Sequence, residues 1–172
     1  MDERRPPDRD GLYETDFFRW TQEQAAALRR AAAERVNAPL DWENLAEEIE
    51  SLGKRDRREM RSRIRSIIEH LAKLAASPAQ DPREGWLDEV ETQRSDLEQV
   101  LRDSPSLRRD VAPVVEDELD RGFKAAATAL RRHGEPEGRL IPWKQRGFTP
   151  DEVLTPGWFP SQDPTQASQD PR

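Results

Sequence analysis

From Pro7 to Glu135 the chain is dominated by Ala, Leu, Glu and Arg, glycine is scarce, and apolar residues recur every three or four positions. These are strong helix formers, and that spacing lays an apolar stripe along one face of an α-helix. Prolines are concentrated outside this region. Of 14, two sit at positions 6 and 7 and seven lie in the last 38 residues. The chain therefore reads as all-α: a bundle of four to five helices over residues 15–134, with a proline-rich, mostly irregular wrap over 135–160. Residues 1–11 read as a flexible N-terminal tail, 161–172 as a disordered tail, and 12–160 as a single domain.

The punctuation predicts where each helix starts and stops. Asp16 is the expected N-cap of a first helix reaching Val36, and Pro39 closes that segment. Asp41 caps a second helix whose Trp42, Leu45, Ile49 and Leu52 form a core-facing seam. Gly53 is expected to break or kink it, because continuing the register would carry Asp56 and Glu59 into the core. A new stripe runs through Met60, Ile64, Ile67, Ile68, Leu71 and Ala75 to Ser77-Pro78. A fourth helix, about residues 83–102, carries Trp86, Val90, Leu97, Val100 and Leu101. After Ser104-Pro105-Ser106, a fifth runs to His133 with Gly134 as its stop, and Pro113 must begin or kink it. Thr149-x-x-Glu152 marks one short helix in the wrap. Its tryptophans, Trp143 and Trp158, serve as core anchors or as an exposed recognition surface.

Composition closes off several chemistries. The chain has no cysteine, which excludes disulfides, thiol catalysis and cysteine-ligated metals. No apolar run comes near the roughly 18 residues that a membrane span requires. The opening segment offers no signal-peptide core, so a cytoplasmic location is expected, with no membrane partner. A sequence pI near 5.1 argues against general nucleic-acid affinity. Leu, Ile, Val and Phe together number only 32, a thin supply of core material offset by five tryptophans.

Two charge patterns raise functional candidates. Glu43, Glu47 and Glu50 share a helix face at i, i+4, i+7, and Glu84, Asp88 and Glu91 repeat that spacing. Clustered carboxylates on paired helices can hold Mg²⁺ for phosphoester hydrolysis. Both clusters, however, lie well away from their apolar seams, whereas bundle metal sites point inward. The opposite pattern is a basic stripe of Lys54, Arg55, Arg58, Arg61 and Arg65. It can meet acidic helices of the same fold, a partner protein or, less favourably, a nucleic-acid backbone. Charge alternates along the chain: residues 41–52 carry −5, 54–65 carry +5, 81–103 carry −5 and 121–146 carry +5. His70 and His133 lack nearby metal-ligand partners, and no nucleophile or phosphate-loop motif is present. The pattern points away from catalysis and implies no cofactor.

Several segments carry a family resemblance. Tyr13-Glu14-x-Asp16-Phe17-Phe18-x-Trp20-Thr21-x-Glu23-Gln24 and Leu40-Asp41-Trp42-Glu43-Asn44-Leu45-Ala46-Glu47-Glu48-Ile49-Glu50-Ser51-Leu52-Gly53 resemble the bacterial family of domain of unknown function twenty-nine. His70-Leu71-x-Lys73-Leu74, Ser104-Pro105-Ser106-Leu107 and Trp158-Phe159-Pro160 extend the likeness over roughly residues 12–160. The resemblance implies an all-helical fold in small bacterial cytoplasmic proteins, and it transfers no catalytic residue. What emerges is a non-catalytic interaction module that binds another protein or itself. The alternative is the Mg²⁺-dependent phosphohydrolase, with nucleic-acid binding third.

Overall fold

The computed structural model describes residues 11–34, 36 and 38–161, so the two expected tails fall almost wholly outside the described residues. Within them lie α1 (Leu12–Thr15), α2 (Phe17–Ala33), α3 (Trp42–Ala76), α4 (Arg83–Asp103), α5 (Val111–Arg132), α6 (Ile141–Arg146) and α7 (Pro150–Leu154). Two 3₁₀ turns, Pro105–Asp110 and Glu137–Leu140, precede α5 and α6, and no strand occurs among the described residues. The described residues pack into two compact units. One takes the chain up to Met60 together with Glu98–Arg109, and the other takes Arg61–Leu97 together with the chain from Asp110 onward.

In the first unit, Asp16 stands between α1 and α2. Its backbone N–H donates to Leu12 O, ending α1. Its side chain accepts from Arg19 N at 3.1 Å, starting α2 as an N-cap does. Tyr13, Phe17 and Trp20 cluster around this junction. Ring centroids lie 5.8 Å apart for Tyr13–Phe17, 5.0 Å for Tyr13–Trp20 and 5.7 Å for Phe17–Trp20, the range of favourable aromatic pairs. Asp41 caps α3 by accepting from Asn44 N, and it also holds the Asn44 amide at 2.6 Å.

Gly53 neither breaks nor ends α3, which runs on for 35 residues. A methyl group on Gly53 would sit 2.2 Å from Thr21 Oγ1 and 3.2 Å from Phe18 Cδ2. The glycine is there because α2 lies against it, not to interrupt the helix. The inward stripe of α3 accordingly runs Trp42, Ala46, Ile49, Gly53, Asp56, Met60. That is a rotation of about 40° from the expected seam, at 100° per residue. Leu45 and Leu52, expected inside, are 40% and 39% exposed. Asp56 is half-buried, as an unbroken register requires, while Glu59 stays outside. Trp42 is also only half-buried, so Trp42→Ala should fall short of the ~3–5 kcal/mol of a fully buried aromatic.

The second unit is built on Ile64, Ile67, Ile68, Leu71 and Leu74 of α3, with Val90 and Leu97 of α4 and Val114, Val115, Phe123, Ala126 and Leu130 of α5, all buried. Gly122 brings α5 against α3: a Cβ there would meet Ile68 Cγ2 at 2.5 Å. Pro113 falls in the first turn of α5, where a missing N–H leaves no intrahelical bond unmade. Gly134 closes α5 with φ 73°. Glu135 N and Gly134 N bond back to Leu130 O and Arg131 O, satisfying carbonyls the helix end would otherwise leave open.

The C-terminal wrap, expected to be mostly irregular, is largely helical over residues 137–154. Its prolines start helices instead of preventing them: Pro142 lies in the first turn of α6 and Pro150 in that of α7, where proline's fixed φ suits the helix. Thr149 and Glu152 form the full capping box. Trp143 and Phe148 are buried, and Phe148 stacks on both Trp143 and Phe123 at 5.5 Å. Trp158 meets Phe148 edge-on at 6.3 Å, so the aromatics of this segment act as anchors.

Candidate functional site

The acidic residues with metal-ligand spacing are occupied locally or open to water. Glu50 lies 2.6 Å from Arg29 Nη2 and 3.4 Å from Lys54 Nζ. Hydrogen bonding from Arg29 and then Lys54 holds the Glu50 carboxyl below the usual carboxylate range, because both donors favour the charged form. Glu43 and Glu47 are exposed, and their charges help to keep Arg29 protonated. Glu84 and Asp88 are exposed on α4, while Glu91 accepts from Arg94 Nη1 at 2.8 Å and from Gly157 N at 3.0 Å. No group of three or more histidines or carboxylates able to hold a metal ion occurs among the described residues.

The basic stripe divides along its length. Lys54 faces Glu50, and Arg55 and Arg58 are exposed. Arg61 instead reaches α5, placing Nε and Nη2 3.0 and 2.7 Å from Glu118 Oε1 and Nη1 3.3 Å from Asp117. Arg65 follows at 3.9 Å from Glu118 Oε2, and Arg121 donates to Oε1 at 2.9 Å. Glu118 is only 1% exposed. Its hydrogen bond holds the Arg61 proton more tightly than usual, as charge-assisted bonds do.

Spacing of large apolar residues passes over three more polar locks. Arg94, 4% exposed, donates Nε to Val153 O at 2.9 Å and Nη2 to Glu152 O at 2.8 Å, and it packs over the Phe159 ring. It thereby satisfies carbonyls at the end of α7, although burial lowers its guanidinium pKa. Asp56 accepts from Ser104 Oγ at 3.1 Å, and Ser104 Oγ in turn accepts from Phe18 N at 3.0 Å. Asp16, besides capping α2, accepts from Ser106 N and Ser106 Oγ, both at 2.9 Å. Where such a residue lies mid-helix, the signal is a polar side chain at a gap in an apolar stripe. Asp56 lies between Gly53 and Met60, Arg94 between Val90 and Leu97, and Glu118 between Val115 and Gly122. His70 is half-buried, with Nδ1 2.9 Å from Ser66 O and Nε2 3.5 Å from Lys73 Nζ. Lys73 also pairs with Glu69 at 2.5 Å.

One open groove has a mixed character suited to binding. It runs between α5 and the segment Gly138–Lys144, with a volume of about 510 Å³. Phe123, Ala127, Leu140 and Ile141 form its apolar lining, and Lys124, Arg131 and Lys144 supply three cations. Ile141 is 57% exposed. The +5 charge of residues 121–146 is plain in the sequence. That a turn and α6 fold this charge into a trough is not.

The family described as Domain of unknown function DUF29 matches residues 12–159. The chain belongs to this family. Three of the DUF29 segments recognisable in the sequence interlock here: Asp16, Phe18 and Thr21 from the first, Gly53 from the second, Ser104 and Ser106 from the Ser-Pro-Ser turn. Their identities are accounted for by packing and capping. No curated protein matches this DUF29 chain. Among solved structures, it is similar to an alpha-helical protein of unknown function from Rhodospirillum rubrum, at 28% identity over 92% of this chain and 98% of that one, with a TM-score of 0.65. No helix among the described residues is long and apolar enough to cross a membrane.

Proposed function

We propose that this chain is a small, non-catalytic protein-interaction module of the bacterial cytoplasm, and that the groove beside α5 is its binding surface. The observation carrying this reading is the groove itself, an apolar lining with Ile141 exposed and Lys124, Arg131 and Lys144 around it. That combination suits an acidic amphipathic segment, which would cover the apolar lining while its carboxylates meet the cations. The bacterial source of the solved relative supports the setting, and the family match unbroken over residues 12–159 supports a single domain. The highly charged, cysteine-free composition fits the cytoplasm.

The test is capture from a host lysate on the full chain and on a Lys124→Glu/Ile141→Glu variant, both shown folded by circular dichroism. Proteins retained by the wild type and lost by the variant support the assignment. Identical retention on both refutes the groove as the binding surface.

A further inference from the structure

A second surface has the chemistry the groove lacks. On α3, Leu45 and Leu52 stand exposed seven residues apart, with Glu48 between them on the same face and Asp41 one turn before. At 100° per residue Leu45, Glu48 and Leu52 fall within about 60°, forming a ridge with one carboxylate between two leucines. It lies on the opposite flank of the buried stripe from Glu50, which is paired with Arg29. Exposed leucines in register with carboxylates make an apolar-acidic stripe of the kind that marks a partner surface.

Resting on the interaction-module reading, we infer that the occupant of the groove is a second copy of this chain, presenting the α3 ridge at Leu45, Glu48 and Leu52. Two features carry this. The charges are opposite, with the Glu48 carboxylate on the ridge and Lys124, Arg131 and Lys144 lining the groove. The apolar content agrees too, because the ridge offers two leucines and the groove is lined by Phe123, Leu140 and Ile141. Leu45 and Leu52 then pack along the trough while Glu48 meets Lys124.

The experiment is sedimentation velocity on the full chain over a concentration series, with charge reversal on each side. Wild type should self-associate, and Glu48→Lys or Lys124→Glu alone should weaken the association about tenfold or more, as should Leu52→Glu. Mixing the Glu48→Lys and Lys124→Glu proteins should restore association, because the lysine introduced in one then faces the glutamate introduced in the other. Wild type that stays monomeric throughout the series overturns the inference, as does a mixture that fails to recover. Were the monomeric wild type still to retain lysate proteins through Lys124 and Ile141, self-association would fall while the module reading stood.

Discussion

Replacing Gly53 by alanine adds one methyl group to the middle of α3. Helix propensity alone argues for a gain, since glycine in a helix interior costs roughly 1 kcal/mol relative to alanine. The packing argues the other way. The new Cβ lies 2.2 Å from Thr21 Oγ1, 3.2 Å from Phe18 Cδ2 and 3.4 Å from Gln22 Nε2. Comfortable heavy-atom contacts sit at roughly 3.5–4 Å. Thr21 is fully buried and its hydroxyl donates to Phe18 O at 2.7 Å, so turning it aside breaks a part-buried hydrogen bond. Moving α2 away instead loosens Ala25 and Ala46, both buried. A contact as short as 2.2 Å puts the cost at about 2–3 kcal/mol, the upper part of the overpacking range, which leaves a net loss of roughly 1–2 kcal/mol after the propensity gain. Urea denaturation and thermal melts should therefore show Gly53→Ala less stable, with Tm lower by a few degrees. Gly85→Ala is the control, because it lies in α4 with nothing within 4 Å of the added methyl. It should gain about 0.4–1 kcal/mol. The cost of Gly53→Ala should shrink or reverse in a Thr21→Ala background, with a coupling of about 1 kcal/mol. If Gly53→Ala proves as stable as wild type, or the cost is unchanged without the threonine side chain, the close approach of α2 and α3 is refuted.

The buried polar residues give three more expectations. Glu118→Ala should cost about 1–3 kcal/mol in urea denaturation. Arg61 keeps partial access to water, which limits the penalty for losing its partner, and a cost near zero would count against the lock. Arg94→Lys should be far from conservative, losing roughly 2–4 kcal/mol because an ammonium cannot reproduce a planar fork. That fork reaches Glu152 O and Val153 O, and stability within experimental error of wild type would contradict its role. Burial raises the carboxyl pKa of Asp56, against a smaller opposing hydrogen bond from Ser104. Its contribution to stability is thus fully present below the unfolded value of about 4 and is lost as pH rises through the higher folded value. Asp56→Asn should therefore improve relative to wild type between pH ~4 and neutrality, and a gap that narrows in the opposite sense over that range would reverse the assignment.

Much of this architecture is legible in the sequence because helix punctuation is local. Asp16, Asp41, Gly134 and the Thr149–Glu152 box mark helix ends through their own backbone neighbours, and the structure uses all of them. The apolar stripe from Ile64 to Leu71 is equally plain, since isoleucine and leucine side chains at 3–4 spacing have one obvious place to go. Gly53 misleads for a physical reason. Glycine in a helix signals either a break or a contact so close that no Cβ fits, and only the neighbouring helix distinguishes the two. Leu45 and Leu52 mislead by the same cause, because close approach selects the small residues Ala46 and Gly53 over the large ones beside them. Of the groove only the positive charge is legible in the sequence, because its two walls, near Lys124 and Ile141, are brought together by the turn at Gly134 and not by any motif.

The charged residues set into the apolar stripes have a consequence for how the chain finds one arrangement. Stripes of Val, Ile, Leu and Ala are nearly self-similar when one helix slides along another by a turn, so apolar burial alone discriminates poorly between neighbouring alignments. Glu118 and Arg94 are not self-similar. After a slip of about 5.4 Å, one turn of helix, Glu118 would leave Arg61, and Arg94 would leave the carbonyls ending α7. Each would then be a desolvated charge without its partner, at a cost of several kcal/mol against an almost unchanged hydrophobic term. These residues act as indexing pins: they add modestly to the depth of the native minimum and greatly to its distance from the nearest wrong one.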